Sequence, residues 1–503
     1  MSGPVNPAPD RATPAPAGGL PGQLDAPLLP SPAQELRLAV GAGQLAGAAV
    51  LLQAQGARFI TLLLAQTPAP ALQAVFALGG ELVVLRASAD GEPLRYPAIS
   101  AVIPAARWAE RELAERTGVQ PQGLAPGVAL TTPEADLLDS TLDGPDVFTL
   151  PFGPVRSGVF EAIQFMIETG GEDVPRIRTR PFFKHRGLEQ RFSGMTPEAG
   201  VHVAERIAGI AGVAHACAFC QAVERALGVG VPPAAERWRV LHAELERIAC
   251  HLDVIAKQAQ TTALSVGHAR FQILKESIMR LRVQLSGSRF GRGVLVPGGV
   301  RAAGALPLAR LRAALDSFEQ ELRHDERLFR GTASMSDRLI GAGRLSRELL
   351  EQLGAVGPLA RGSGLSVDAR HERPHGEYSR LGLRVITAHG GDAMARVDVR
   401  LREIGESLRI LRQVTDRLAD DGTELLAPLP SGASGDAFGW VEAPQGEVVT
   451  WVQVRDGKLA RVHVASPSLR NWAIFDHAFP RDVLTDFAFI EHSFGLTAAG
   501  ADR

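Results

Sequence analysis

The stretch WRVLHAELERIACHLDVI occupies residues 238–255. Its apolar residues recur every three or four positions, which is the period of one face of an α-helix. The same pattern returns from Leu308 to Leu322 and from Val397 to Leu411. Three long helices with one apolar stripe each predict that a helical bundle forms the centre of the fold.

Strand patterns flank this helical region. From about residue 151 the spacing of apolar side chains indicates strands, at Val159, Ile163, Phe165 and Ile167. Beyond the helices, every second residue from Val448 to Val454 belongs to one face of a predicted strand, and Asp456-Gly457 predicts a turn. The last residues of the chain show no pattern that predicts a regular element.

The N-terminal third has a different organisation. Residues 1–33 mix Pro, Ala and Gly without a period, so a disordered arm is expected there. Residues 34–120 alternate short apolar runs with helical patches, which predicts a small α/β module. Residues 121–150 are predicted to be a linker, and residues 151–503 a second domain. The expected fold class is therefore α+β, a small N-terminal α/β module followed by a large, mainly helical bundle domain with flanking β-strands.

Composition excludes several classes of function. The chain has 53 basic and 55 acidic side chains, a formal charge of −2, so no basic excess indicates a nucleic-acid partner. Three cysteines cannot form a disulfide framework. No apolar stretch near the start is long enough to span a membrane, and no signal peptide is predicted. A cytoplasmic protein is expected.

Two local motifs carry little chemistry. Cys217 and Cys220 form a lone C-x-x-C, but their alanine-rich, helical context favours small core residues over a metal or redox pair. The glycine-rich residues 286–293 lack the spacing and the lysine of a phosphate-binding loop. Nucleotide binding is not predicted, and no nicotinamide fingerprint occurs in the chain.

An ordered set of longer motifs is more informative. In chain order the set is YPAIS (96–100), PAA (104–106), WAERE (108–112), HRGLE (185–189), ERIAGIA (205–211), ELER (244–247) with His251, GSG (362–364) and EAP (442–444). The first three resemble the 30 kDa-type subunit of respiratory complex I. The others resemble the 49 kDa-type subunit of complex I and the large subunit of group 4 nickel-iron hydrogenases. The chain is thus similar to a fusion of both types, as in formate hydrogenlyase large subunits.

The resemblance also indicates what is missing. A nickel-iron site needs four thiolates, because soft sulfur ligands hold both metals. The four corresponding positions are Ala208, Ala211, Ser468 and Asn471, so no metal is expected in this chain. The family's arginine over the metals corresponds to Gln445.

The contacts that complex I makes to quinone are altered as well. The family's quinone-contacting histidine corresponds to Ser157, and its quinone-contacting tyrosine corresponds to Gly209. Both are degenerate cofactor-binding positions. Quinone and NADH are implied only at the level of the family.

The candidate catalytic residues follow from the same resemblance. Arg186 and His251 match residues that face the terminal iron-sulfur cluster of a small neighbouring subunit, where a cation or imidazole stabilises the reduced cluster. His185 lies beside Arg186 in the same motif. Glu161, Glu189 and His215 are candidate proton carriers. Read from the residues alone, Arg186 pairs with a carboxylate, His251 is a satisfied core histidine, and the others make structural hydrogen bonds.

Two functions remain open. The first is a subunit of a membrane-associated oxidoreductase complex that relays electrons beside a partner's iron-sulfur cluster and couples them to ion translocation. The second is a non-redox scaffold for the same kind of complex. Either function implies a small iron-sulfur subunit and ion-translocating membrane subunits as partners, no nucleic acid, and no cofactor held by this chain. The expected location is the cytoplasmic side of the cell membrane, as a peripheral protein.

Overall fold

The computed structural model describes residues 20–24, 26–65, 69–88, 93–125, 129–131, 142, 147–156, 161–301, 306–419 and 424–503. These residues form two compact units, Met1–Ala125 and Pro126–Arg503. Most of the predicted arm, residues 1–19, and much of the predicted linker lie outside the described residues.

The first unit is an α/β module built on one sheet. Its helices are α1 (Leu20–Leu24), α2 (Leu45–Ala54) and α3 (Arg107–Thr117). Its strands are β1 (Leu28–Leu29), β2 (Glu35–Val40), β3 (Arg58–Ala65), β4 (Ala71–Leu78), β5 (Glu81–Ser88), β6 (Arg95–Pro97) and β7 (Gln120–Gln122). Five strands form a sheet in the order β1-β2-β5-β4-β3, in which β2 and β5 are parallel and the other neighbours antiparallel. Strands β6 and β7 form a separate parallel pair.

The predicted disordered arm is too long at its C-terminal end. Within it the structure has α1 and β1, and β1 pairs with β2 through Leu28 opposite Leu38. Leu20 belongs to the core of the module and is buried. The sequence did not predict these short elements, because they contain too few residues for a repeating apolar pattern. Pairing with the sheet and contact with the core stabilise them.

The WAERE motif has a structural role in this module. The carboxylate of Glu110 on α3 accepts hydrogen bonds from the backbone nitrogens of Ile99 (2.7 Å) and Ser100 (2.9 Å). Glu110 is fully buried, and burial raises its pKa. One side chain thus joins the two motifs YPAIS and WAERE.

Replacing Glu110 with alanine should lower the free energy of unfolding by about 3 kcal/mol, because two buried backbone N–H groups would lose their acceptor. Denaturant titration of the full chain measures this change. The matched control is Glu115→Ala on the exposed side of the same helix, for which a change within about 0.5 kcal/mol is expected. Equal effects at both positions would show that the buried hydrogen bonds are unimportant.

The second unit holds the bundle and three small sheets. Its strands are β8 (Phe148–Phe152), β9 (Gln164–Thr169), β10 (Arg176–Arg180), β11 (Leu295–Val296), β12 (Gly299–Val300), β13 (Gly435–Ala443), β14 (Gly446–Arg455) and β15 (Lys458–Ala465). Its helices are α4 (Leu188–Arg191), α5 (Pro197–Ala204), α6 (Gly212–Leu227), α7 (Pro233–Thr261), α8 (Ser265–Ser286), α9 (Leu308–Arg330), α10 (Ala333–Leu339), α11 (Arg347–Gln352), α12 (Gly357–Arg361), α13 (Ala369–Glu372), α14 (Ala393–Leu418), α15 (Pro467–Phe475), α16 (Phe487–Phe494) and α17 (Ala498–Asp502).

The three predicted apolar stripes are all helical. They fall in α7, α9 and α14, and α7 packs against both α8 and α14. The predicted strand and turn near the C-terminus are also present, as β14 and β15 in the antiparallel sheet β13-β14-β15. The structure confirms the predicted α+β fold class.

Two glycines bring α6 unusually close to the C-terminal sheet. Gly435 and Gly439 lie four residues apart on β13 and therefore face the same side of the strand. A Cβ atom at Gly435 would lie 2.0 Å from the carbonyl oxygen of Ala226, and one at Gly439 would lie 2.1 Å from that of Ala218. Only glycine permits this approach, which positions α6 and the loop that precedes it.

The C-terminal segment is more regular than expected. The structure has α15, α16 and α17 where no element was predicted. These helices have nine, eight and five residues, so a helical period hardly repeats within them. Aromatic packing holds the segment, for example Phe475 against Phe479, Phe487 and Phe494 at ring-centroid distances of 5.0–5.9 Å.

Within the described ranges, no single helix is long and apolar enough to cross a membrane. The segments Pro197–Ala204 and Gly209–Leu227 meet the test of length and composition only as a pair, which is bent by 115°.

Candidate functional site

A cavity of about 280 Å³ lies along the groove between α7 and α8. One face of α7 lines it with residues spaced three and four apart, which are Glu246, Ala249, Cys250, Asp253, Val254 and Lys257. Helix α8 contributes Lys275, Met279 and Arg282. The wall also includes Gly209 and Ile210 of the 205–211 loop and residues from other segments, which are Arg156, Glu161, Ile163, Phe290, Gln445, Trp472, Glu491, His492, Gly495, Leu496, Thr497 and Ala498. The cavity thus lies directly against the loop that carries the family resemblance.

Glu246 anchors that loop from inside the bundle. Its carboxylate accepts hydrogen bonds from the backbone nitrogens of Val213 (2.9 Å) and Ala214 (3.0 Å), the free N–H groups at the start of α6. Burial raises the pKa of Glu246. The guanidinium of Arg282 lies 3.6 Å away, and burial lowers the pKa of Arg282.

Two lysines share one carboxylate at the cavity wall. Lys257 lies 2.9 Å and Lys275 lies 2.6 Å from the two carboxylate oxygens of Asp253. Burial acts to raise the pKa of Asp253, but the two lysines hold it below its usual value. Arg156, which also lines the cavity, makes a bidentate pair with Glu491 at 2.8 and 2.9 Å.

Glu161 lines the cavity and caps α17. Its carboxylate accepts hydrogen bonds from the Thr497 hydroxyl (2.6 Å) and from the backbone nitrogens of Ala498 and Ala499. A carboxylate at a helix N-terminus is favoured by the free N–H groups there. The predicted proton carrier therefore has a structural role in this conformation.

Arg186 holds the 205–211 loop from the outside. Its guanidinium donates to the carbonyl oxygens of Arg206 (2.8 Å), Ile207 (2.6 Å) and Ala499 (2.9 Å). Burial lowers its pKa, and the nearby Asp502 and Glu161 act to raise it. The side chain nonetheless stays exposed. All three hydrogen-bond acceptors are backbone carbonyls, whereas the sequence, without the family resemblance, predicted a carboxylate partner for Arg186.

His185 and Glu189 also contact the C-terminal segment. The exposed His185 donates from Nδ1 to the carbonyl oxygen of Asp502 at 2.6 Å. Glu189 accepts from Arg503 Nε (3.0 Å) and from the backbone nitrogen of Val464 (2.9 Å). The structure thus gathers four predicted residues around α17, which are Glu161, His185, Arg186 and Glu189.

His215 lies buried on α6, and its Nδ1 has no hydrogen-bond partner among the described residues. Burial lowers its pKa to about 3, and the positive charges of Arg503 and Arg186 add to this effect. A histidine with such a pKa is neutral near pH 7. Its predicted role as a proton carrier remains a prediction, and this environment opposes it.

His251 lies apart from the other candidates, at the interface of α7 and α14. Its Nε2 is 2.7 Å from Glu403, and both side chains are buried. Burial lowers the pKa of His251 to about 4, although Glu403 acts to raise it. Glu403 in turn lies 2.6 Å from Arg361, which holds the pKa of Glu403 well below its usual range against the effect of burial. This is the environment of a satisfied core histidine, the alternative that the sequence left open.

The four positions at which the resemblance places nickel ligands have no thiol side chains in this chain. Ala208 and Ala211 lie in the apolar core. Ser468 accepts from the backbone nitrogen of Thr497 at 3.4 Å, and Asn471 both accepts from and donates to the backbone of Val356 at 3.2 and 3.0 Å. This donor set does not fit a nickel-iron centre. Among the described residues, no group of three or more His, Cys, Asp or Glu side chains could hold a metal ion.

Of the two degenerate quinone positions, Ser157 lies outside the described residues. Gly209 begins a 3-10 turn at the cavity wall, and no described atom lies within 4 Å of where its Cβ would be. The C-x-x-C cysteines are buried core residues, and burial raises the pKa of Cys217 to about 12.

Sequence reasoning missed the α7 and α8 wall of the cavity. Glu246, Cys250, Asp253 and Lys257 are spaced four, three and four residues apart, so the sequence already places them on one face of α7. A polar helix face normally faces solvent, and nothing in the sequence marked this one as covered by α8.

Three comparisons with known proteins show what this chain is similar to. Residues 263–429 match the family model described as "Respiratory-chain NADH dehydrogenase, 49 Kd subunit". Formate hydrogenlyase subunit 5 of Escherichia coli is 26% identical over 451 residues, covering 84% of this chain and 79% of that protein. An NADH-quinone oxidoreductase subunit of Saccharopolyspora erythraea is 32% identical over 278 residues, covering 55% of this chain and 62% of that protein.

A solved structure shares the fold. It is described as "Structure of the membrane-bound sulfane sulfur reductase (MBS), an archaeal respiratory membrane complex". One of its chains superposes with a TM-score of 0.67 at 24% identity, covering 71% of this chain and 99% of the other. The chain is thus similar over 84% of its length to a formate hydrogenlyase subunit, and over part of its length to the 49 kDa-type subunit of respiratory-chain NADH dehydrogenase.

The buried His215 should make stability depend on pH. Its pKa in the folded state lies below its value of about 6.5 in the unfolded chain, so unfolding takes up a proton between about pH 6.5 and 4. This contribution to stability is complete above pH 6.5 and is lost as the pH falls. For His215→Asn, the slope of unfolding free energy against pH should fall by about 1.4 kcal/mol per pH unit between pH 6 and 4.5.

Urea titrations at a series of pH values measure this slope. Between pH 7.5 and 8.5 both proteins should have the same slope, because His215 is then neutral in both states, whatever constant offset the substitution causes. An unchanged slope below pH 6.5 would mean that His215 is protonated in the folded protein.

Proposed function

We propose that this chain is a subunit of a complex I-type or membrane-bound hydrogenase-type respiratory complex that relays electrons beside a partner's iron-sulfur cluster without a nickel-iron site of its own. In this proposal ion-translocating membrane subunits couple to it. The supporting relatives are a formate hydrogenlyase subunit and an NADH-quinone oxidoreductase subunit. We infer that the first unit is a 30 kDa-type module. The similarity to formate hydrogenlyase subunit 5 covers 84% of this chain, which is longer than the second unit, so it must extend into the first unit.

The exposed guanidinium of Arg186 is the observation that carries this proposal. It is fixed by three backbone carbonyls of the 205–211 loop and α17, and a fixed cation beside a cluster stabilises the added electron. Among the residues with a predicted role at the cluster, His251 is buried and paired with Glu403. Arg186 therefore has the leading role in the proposal, and His251 a secondary one.

The absence of thiolates in the donor set supports the second part of the proposal. Alanine at two positions and backbone-bonded Ser468 and Asn471 at the other two supply no soft ligand. Elemental analysis of the purified intact complex should detect iron in the partner subunit and no stoichiometric nickel. Stoichiometric nickel would contradict this proposal.

The role of Arg186 can be tested by a redox titration of the partner's cluster in the intact complex, followed by electron paramagnetic resonance. Arg186→Met should move the midpoint potential to more negative values by about 60 mV, a tenfold change in a one-electron equilibrium, because the reduced cluster loses a nearby positive charge. Arg186→Lys should restore most of the potential.

The matched controls separate this effect from a general loss of charge or packing. Arg191→Met removes an exposed cation from the neighbouring α4, at a position that the resemblance does not place at the cluster, and should shift the potential by less than about a fifth of that amount. His251→Gln should be compared with His242→Gln, a second buried histidine of α7. A wild-type potential in Arg186→Met would contradict the relay.

The non-redox scaffold remains the second candidate, and one observation favours it. In this conformation Glu161, Glu189 and His251 are occupied by structural hydrogen bonds. If the scaffold function is correct, ion transport by the reconstituted complex should survive in both Arg186→Met and His251→Gln, and no cluster should be reducible next to this chain.

A further inference from the structure

In the cavity between α7 and α8, the hydrogen-bond donors without a partner among the described residues outnumber the acceptors without one. Its carboxylates are already occupied by partners within the protein: Glu161 by α17, Glu246 by α6, Asp253 by two lysines and Glu491 by Arg156. The cations are less well matched. We refer to Lys257, Lys275 and Arg282 as the cationic end of the cavity.

Arg282 is the least satisfied of these cations. Its side chain is only 3% exposed, and its Nε and Nη2 make no hydrogen bond to any described residue. These two nitrogens share one edge of the guanidinium, and two parallel N–H groups on one edge match the two oxygens of a carboxylate or another oxyanion. Glu246 stays at 3.6 Å because the N–H groups of α6 hold its oxygens.

The two lysines add a net positive charge. Asp253 contributes one negative charge between two ammonium groups, so this part of the wall carries about one excess positive charge. Lysine is rare in this chain, since only four of the 53 basic residues are lysines, yet two of the four lie beside this cavity. An ammonium group on a flexible stem has three donors, of which Asp253 engages one from each lysine.

We propose that the cationic end of this cavity binds a small oxyanion, a carboxylate or an inorganic oxyanion, between Lys275 and Arg282 on α8. The two residues lie seven positions apart on one face of the helix. The volume of about 280 Å³ is at the lower end for ligand pockets, which fits a small molecule. The wall also has apolar residues, among them Ile163, Ile210 and Trp472, which would accommodate the carbon skeleton of an organic acid.

The low number of lysines allows a direct test on the purified full chain. Selective ¹³C labelling of lysine gives one Cε signal each for Lys184, Lys257, Lys275 and Lys458. Titration with phosphate, acetate or succinate at constant ionic strength should move the signals of Lys257 and Lys275 in a saturable way. The other two signals should stay in place. The three probes distinguish an inorganic oxyanion from a monocarboxylate and a dicarboxylate.

Variants assign the binding to this site. Lys275→Met should weaken binding, raising the dissociation constant at least tenfold, and Lys275→Arg should keep it within about threefold because the charge remains. Lys458→Met, at the exposed first residue of β15, is the matched control and should bind as the wild type does. The proposal is wrong if none of the probes binds, if all four lysine signals move together, or if Lys275→Met binds unchanged. None of these results bears on the electron relay, which is tested at the partner's cluster.

Discussion

The second unit depends on a buried arginine. Arg361 has no exposed side-chain surface, and its guanidinium lies 2.8 Å from Glu442, 2.6 Å from Glu403 and 3.5 Å from Asp368. These partners come from β13, α14 and the segment before α13, so one cation connects the sheet to the bundle. Removing Arg361 would leave the buried carboxylates of Glu403 and Glu442 without their shared cation, which is far more costly than losing an exposed ion pair. The elements around Arg361 are therefore held in one arrangement.

A second buried centre continues this network along α7. Glu244 accepts hydrogen bonds from Arg370 (3.0 Å), Tyr378 (2.6 Å) and Ser407 (2.6 Å), and Arg247 lies 3.3 Å from it. The nearby positive charges hold the pKa of Glu244 at about 2 despite its burial. Two of these residues belong to the ELER motif, and Glu442 belongs to the EAP motif. Much of the resemblance to complex I and the hydrogenases thus lies in residues that build the fold, so it is better evidence of family than of chemistry.

This distribution explains what the sequence could predict. The stripes of α7, α9 and α14 repeat over several turns, and their period identifies them without tertiary information. Buried charged residues have no such periodic pattern in the sequence. From the sequence alone, Arg361 and Arg247 would be predicted to lie on the surface, because partners of both are distant along the chain. The candidate site likewise has one part that the sequence predicted and one part that it did not. The resemblance located Glu161 and Gly209, which do line one cavity, but the polar face of α7 from Glu246 to Lys257 became part of the wall only through its packing against α8.

The 205–211 loop is held in place by hydrogen bonds from other parts of the second unit. In a metal site, the ligand bonds contribute to folding and fix the loop that carries them. Here the loop is held from two sides, by Glu246 on the backbone nitrogens that follow it and by Arg186 on its carbonyl oxygens. Ala208 and Ala211 fill the core where the resemblance places thiolates. Each anchor is a charge-assisted hydrogen bond to the backbone, and such bonds fix a loop irrespective of its side chains. These contacts therefore suffice to hold the loop in the geometry that forms one part of the cavity wall.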